Sequence, residues 1–356
     1  MFENRVRRVS ELMRRTDLPA VIVSDPESVF YLTGRWIHPG ERMLALLLTD
    51  DASATLIANR LFAQTPEEGL PLVEYDDTED CVDVLARALP EGIGVLGVDK
   101  SWPSQFLIRL MQKKPEVRMV LGSYAVDETR MCKDEDELRA MRLSSRMNDD
   151  VLRELLTTLK EGDTELQVAA RYTQIARAHG AAGNSFSPLI CFGANCAEPH
   201  HSSDDTPLKA GDCVICDVGL DLNSAMSDMT RTVFFGEPTE EMKKVYDVVR
   251  RANAAGKAAV KPGVPLRDVD RAARSVIEEA GYGPYFTHRT GHNIGIGVHE
   301  PPDVSATSEA VAREGMIFSI EPGIYLPGKF GVRIEDLVAV TKDGCEVLNH
   351  LEIPVY

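Results

Sequence analysis

A segment of this chain occurs twice, and that repetition constrains its fold more than any other feature of the sequence. Gly162, Val168, Ile175 and Gly180 match Gly263, Val269, Val276 and Gly281, each displaced by 101 residues. Residues 211–219 (GDCVICDVG) then match residues 315–323 (GMIFSIEPG), displaced by 104. In both copies an acid, Asp217 or Glu321, stands six residues after the first glycine and two before the last. Read as a duplicated helix–helix–strand unit, the pattern puts these two acids at related positions on two strands. Facing one another across a pseudo-two-fold axis, they can share a ligand.

Each acid has a companion. Asp217 and Asp228 are eleven residues apart, a separation that within one strand would send them to opposite faces. Residues 220–227 read as a turn, however, and a hairpin there returns both acids to one face. Glu321 and Glu335 are fourteen apart across a similar turn-like run, 326–331. Between the two pairs, residues 290–302 (TGHNIGIGVHEPP) supply His292. Four carboxylates on apolar strands cannot be buried without compensating cations. An oxygen-rich set with one imidazole, Asp217, Asp228, His292, Glu321 and Glu335, therefore predicts two divalent metal ions. Manganese comes first, with cobalt, iron, magnesium or zinc as alternatives. Two such ions about 3.5–4 Å apart activate water and hold a leaving group, which makes the chain a dinuclear metallohydrolase.

Length and charge bound the rest. At 356 residues two domains are expected. A formal net charge of −17 excludes nucleic-acid backbones and anionic membranes as main partners. No apolar run is long enough for a membrane span, and residues 1–8 lead into no apolar signal core, so a cytoplasmic protein is expected. The seven cysteines are scattered and odd in number, which suits a reducing compartment and structural roles. Cys213 and Cys216 form a CxxC, but three residues apart on a strand they face opposite ways.

Residues 1–125 alternate β-like runs at 20–24, 43–49, 54–58 and 93–98 with helical spacing around 3–15, 78–89 and 103–113. This predicts a small α/β domain without a catalytic cluster. Residues 92–97 (GIGVLG) imitate a dinucleotide fingerprint, but their glycines fall in the strand itself rather than between strand and helix. Residues 34–42 concentrate Arg35, Trp36, His38 and Arg42 in one loop. Two readings stand: a solvated loop with a packed Trp, or a cap on a substrate pocket, its own or a partner subunit's, that binds a carboxylate. At Val126 the texture changes to a charged stretch and a long amphipathic helix with Leu138, Met141, Leu152, Leu155 and Leu159 near one face. A second domain, 126–356, begins there. Its second helix, 164–179, opens on a Thr164/Gln167 capping box.

The second domain resembles the pita-bread metallopeptidases, and the whole chain is similar to their Xaa-Pro branch, prolidase (Xaa-Pro dipeptidase) and aminopeptidase P. The motifs that carry the resemblance are 217–219 (DVG), 227–232 (SDMTRT), 291–295 (GHNIG), 298–301 (VHEP), 321–325 (EPGIY) and 333–336 (RIED), in family order. The resemblance implies an α/β N-terminal domain of the creatinase type followed by an α+β pita-bread domain, with Asp217, Asp228, His292, Glu321 and Glu335 as metal ligands. It implies hydrolysis of the bond before proline in small proline-containing peptides by a hydroxide between the metals. Glu321 then acts as general base, and His200 and His299 polarise the substrate and stabilise the oxyanion. His200 is preferred over His201 because Pro199 precedes it. It also implies a homodimer to which the small domain lends loops. Asn293 departs from the more usual glycine. Arg333, two residues before Glu335 on a strand and so on the same face, is a candidate for the substrate carboxylate, with a structural ion pair as the alternative reading. Arg35, Trp36 and His38 are further candidates for substrate contact.

Three alternatives share the architecture: an Xaa-Pro aminopeptidase, a metal-free creatinase-like amidinohydrolase, and a non-catalytic binding protein. The complete ligand set favours the peptidases over the last two. The short first domain favours the dipeptidase over the aminopeptidase.

Overall fold

The computed structural model describes residues 1–353. The chain divides into two compact units, Met1–Arg130 and a second from Met131 onward. The helix Tyr124–Met131 carries the chain from the first into the second, so it spans the change of texture seen at residue 126.

The first unit is built on one mixed sheet. Its strands lie in the order Leu72–Tyr75, Ala54–Asn59, Ala45–Thr49, Ala20–Val23, Val95–Val98 and Arg118–Leu121. Ala20–Val23 runs antiparallel to Ala45–Thr49 and parallel to Val95–Val98. Local chemistry explains the helices. Asp25 accepts from the Ser28 amide, Pro26 occupies the first turn, and Gly34 closes the helix Pro26–Thr33 at φ 74°. Asp80 caps Cys81–Ala88 through the amides of Val82 and Asp83. Ile22, Leu47, Leu85, Leu96 and Phe106 fill the core between sheet and helices. Gly97 lies inside a strand, where a Cβ would come within 3.1 Å of Gly122 Cα. Gly97 therefore serves packing in the strand, while Gly92, at φ 71°, lies in the turn before it.

The second unit shows the duplication directly. Helices Glu135–Leu156 and Glu165–Ala178 precede the strand Asp212–Val218, and helices Glu240–Ala259 and Leu266–Glu279 precede Ile317–Ile320. The Thr164/Gln167 capping box is present. Leu159 lies just past the end of its expected helix but packs on the same core. The first copy contributes a sheet ordered Met229–Phe235, Asp212–Val218, Leu189–Phe192. The second contributes Glu300–Val304, Gly291–Asn293, Ile317–Ile320, Asp336–Val340, Cys345–Val347. Cys213 and Cys216 are both fully buried and belong to different cores, as opposite-facing strand residues must. All seven cysteines are free. No helix among the described residues is long and apolar enough to cross a membrane.

Candidate metal centre

Two related hairpins deliver the acids. Asp217 sits opposite Thr230 in the antiparallel pairing of Asp212–Val218 with Met229–Phe235, and Asp228 immediately precedes the second of these strands. Between them the chain forms two further short strands, Leu220–Leu222 and Ala225–Met226. In the second copy Ile320 pairs with Asp336, so Glu321 and Glu335 stand at the open end of that ladder. The hairpin Gly323–Leu326 with Phe330–Arg333 bulges out between them. His292 is the central residue of Gly291–Asn293, where the ladder is bulged. Two glycines permit this approach. A Cβ on Gly219 would overlap the Ser227 carbonyl, and one on Gly291 would overlap the Ser319 carbonyl.

The five predicted ligands converge. His292 Nε2 lies 3.7 Å from Oδ2 of Asp228 and 3.5 Å from Oε1 of Glu321. Asp228, His292 and Glu335 each offer a ligand atom within 4.8 Å of the others. Asp217 is fixed by Arg333, whose Nη2 is 2.7 Å from its Oδ2, and Glu335 by the Thr230 hydroxyl. The His292 Nδ1 faces its neighbour's carbonyl, Asn293 O, at 3.1 Å. A proton there leaves the Nε2 lone pair directed at the acids.

Electrostatics make the cluster costly as it stands. Burial, reinforced by Asp217 and Glu321, pushes the Asp228 carboxyl well above its ordinary range, and burial with Asp228 does the same to Glu335. Burial lifts Glu321 to about 7. Burial, with His299 beside it, lowers His292 to about 3, so the imidazole stays neutral. Asp217 Oδ1, Asp228 Oδ1 and Glu335 Oε1 are buried without a hydrogen-bond partner. Three buried carboxylate oxygens left unpaired beside a neutral imidazole are what a pair of cations satisfies. The donor set fits two divalent ions.

The cluster floors a cavity of about 540 Å³ whose lining residues all belong to the second unit. His200 and His299 are exposed on its wall. The His299 ring stands edge-on to His292, with centroids 4.3 Å apart. His201 turns away to the fully buried Glu165 at 2.9 Å. Glu165, His201 and Asp204 could also hold an ion by their spacing. Glu165, however, already accepts from Phe192 N, Asn195 Nδ2, His201 and Asp204 N, which leaves no unsatisfied oxygen to attract one.

Several residues sit differently from expectation or went unforeseen. Arg333 ends one strand and Glu335 lies in the two-residue link before the next, which begins at Asp336. Both still reach the Thr230 hydroxyl, at 3.1 and 2.7 Å. Arg333 also donates to Tyr325 OH at 2.8 Å and to Pro199 O, so its guanidinium is taken up inside the protein. Arg35 bonds Gln64, Thr65 and Glu67 within the first unit, and Trp36 stacks between Phe30 and His38. Asn293 donates to Pro301 O, which accounts for an amide where glycine is more usual. Phe186, Leu189, His288 and Arg289 line the cavity beside Val298 of the 298–301 motif, without having announced themselves. The only sequence signal for His288 and Arg289 was their place just before the 290–293 run.

Metallopeptidase family M24 matches residues 139–342, and the creatinase/prolidase N-terminal domain matches residues 5–132. The chain belongs to metallopeptidase family M24. An uncharacterized peptidase of Staphylococcus aureus strain USA300 is 35% identical over 98% of this chain and 99% of its own. The crystal structure of a recombinant prolidase from Thermococcus sibiricus superposes with a TM-score of 0.93 at 33% identity, covering 100% of this chain and 99% of that one. Dipeptidase PepE from Mycobacterium ulcerans gives 0.93 at 33% identity, covering 99% and 96%. The fold is thus a creatinase-type N-terminal domain followed by the M24 pita-bread domain, and the M24 family uses divalent metals.

Proposed function

We propose that this M24 enzyme is an Xaa-Pro dipeptidase that hydrolyses the bond before proline. The observation that carries the reading is the convergence of four acids and His292 with three buried carboxylate oxygens unpaired. Its likeness to a prolidase and a dipeptidase along the whole chain points to the substrate class.

Asp217, Asp228, His292, Glu321 and Glu335 would hold two divalent ions, manganese by the oxygen-rich donor set. When bound, these supply Lewis acidity at the scissile carbonyl and at the attacking water. Glu321 takes the proton of that water and passes it to the leaving proline nitrogen. Partial desolvation in the cavity wall, with Arg289 nearby, holds His299 below the usual imidazole range, so it is neutral at pH 7. It donates one N–H to the carbonyl oxygen as charge develops there, and His200 does the same from the other wall. Arg333 serves Asp217 rather than the substrate, because its Nε, Nη1 and Nη2 all have protein partners. Arg35, Trp36 and His38 remain candidates for substrate contact, which the KM of Trp36→Ala tests.

We further propose a homodimer, which the exposed Trp36 and Leu61 support, and a cytoplasmic site of action, which the seven free cysteines support. Light scattering on the purified protein tests the first. The activity is tested with a panel of Xaa-Pro, Xaa-Ala and Xaa-Pro-Yaa peptides and creatine. Cleavage of the Xaa-Pro dipeptide is expected to dominate. Preference for the tripeptide would move the chain to the aminopeptidases, and turnover of creatine alone would overturn the reading.

A further inference from the structure

Asn293 pairs with Glu300, so residues 294–299, Ile-Gly-Ile-Gly-Val-His, form the loop that closes this hairpin. Ile294 is buried in the core, but two of the remaining five residues are glycines, so little of the 295–299 stretch is anchored by its own side chains. The Glu300 carboxylate grips it instead. Oε1 accepts from the Gly297 amide at 3.0 Å, and Oε2 accepts from Lys133 Nζ at 3.0 Å. The two side chains are 2% and 5% exposed. Their fit against the loop is close. A Cβ on Gly295 would lie 2.9 Å from Lys133 Cε and 3.0 Å from Glu300 Oε1.

Lys133 is itself held from outside the loop. Its amide donates to Gly315 O at 2.8 Å, and Cys132 bridges to Met316 at the start of the sheet's central strand. A buried ion pair of this kind adds little net stability, because desolvation consumes most of the attraction. What it does impose is a fixed geometry, and the residue next to Glu300 is His299.

We propose that Lys133 is a positioning residue for His299. Through Glu300 it fixes the 295–299 backbone so that the imidazole stands edge-on to His292 at the cavity wall. This rests on His299 acting on the substrate, as proposed above. The Gly295 carbonyl is held by the Met226 amide at 2.9 Å, but without Lys133 the carboxylate that holds the Gly297 amide loses its charge partner, so the 296–299 stretch loosens and the ring samples several orientations. Misplacement of a catalytic group by about 1 Å costs on the order of a hundredfold in rate.

Two variants test this in the full chain: Lys133→Met, and the charge-neutral pair Lys133→Met with Glu300→Gln, which leaves no lone buried charge where the single variant fails to fold. Proton–carbon NMR of the histidine rings reads position directly in metal-free protein, with the His299 signal assigned by its loss in His299→Ala. The His299 signal is expected to shift or broaden in either variant while that of His179 stays in place. On an Xaa-Pro dipeptide the metal-loaded variant is expected to lose about tenfold or more in kcat with unchanged metal content. In the His299→Ala background the same change is expected to cost less than about twofold, because the two residues act as a unit. An unmoved His299 signal overturns the proposal, and so does an equal fold loss in both backgrounds. If His299→Ala alone leaves kcat unchanged, the assigned role of His299 fails, and the NMR signal still decides whether Lys133 holds the ring.

Discussion

Thr230 donates its hydroxyl to Oε2 of Glu335 at 2.7 Å, joining a strand of the first repeat to a proposed ligand in the second. The Thr230 hydroxyl oxygen in turn accepts Arg333 Nε at 3.1 Å, and the Thr230 carbonyl accepts the Glu335 amide at 3.1 Å. One buried threonine thus orients two acids, Glu335 directly and Asp217 through Arg333. Groups that orient metal ligands typically contribute 10–100-fold in metal affinity. Thr230→Val keeps the shape and removes the hydroxyl. It is expected to weaken divalent-metal binding by roughly that factor, measured by competition with a chelating dye, while the far-ultraviolet dichroism is unchanged. Native affinity in the variant counts against the ligand assignment of Glu335.

The metal-free protein carries a pH signature with a definite sign. Asp228 and Glu335 keep their protons well above the ordinary carboxyl range, and Glu321 keeps its proton to about 7. The fold therefore binds protons that the unfolded chain has released, and stability falls as pH rises. His288 and His292, held neutral down to about 3, act oppositely: their contribution is lost as pH falls below the unfolded value of 6.5. Above pH 6.5 the histidines are neutral in both states, and of these five groups only the acids still titrate. The melting temperature of chelator-treated protein is expected to fall between pH 6.5 and 8 by a few degrees. Saturating divalent cation is expected to remove or reverse the slope, because metal competes with protons for the same oxygens. A flat profile in the metal-free state contradicts the crowding of carboxylates.

The neighbouring histidines His200 and His201 should separate cleanly in mutagenesis. His200 lines the cavity, and its replacement by alanine is expected to lower kcat by about 10²-fold at unchanged thermal stability, the cost of a lost oxyanion donor. His201 is bonded to the fully buried Glu165. His201→Ala leaves that carboxylate short of a donor and is expected to cost about 1–3 kcal/mol of stability, read by urea unfolding. The reverse pattern would reassign the pair.

The division between what the sequence revealed and what it hid is physical. Asp217 and Glu321 were readable because duplication placed matching acids at matching offsets, Asp228 and Glu335 because each followed a turn, and His292 because it opens a glycine-rich run. The helix Glu165–Ala178 was readable from its capping box. Thr230 and Tyr325 lie within the quoted motifs, but their roles, like those of His288 and Lys133, were not readable, since each arises only from a tertiary partner. The relation of Arg333 to Glu335 was inferred from strand alternation, which fails where the chain leaves the strand at Ile334. In the first unit the helix Pro26–Thr33 and the edge strand Arg118–Leu121 are too brief to show a period in the sequence.

The most direct test of the dinuclear peptidase is Xaa-Pro hydrolysis measured alongside metal content through chelation and reconstitution. The wild-type chain is expected to lose activity when stripped and to regain it as about two divalent ions bind per chain. Glu335→Ala is expected to retain neither the full metal complement nor more than about a thousandth of the activity, since the ions' charge stabilisation is worth several kcal/mol. Undiminished hydrolysis by the stripped protein, or by Glu335→Ala, would contradict the account.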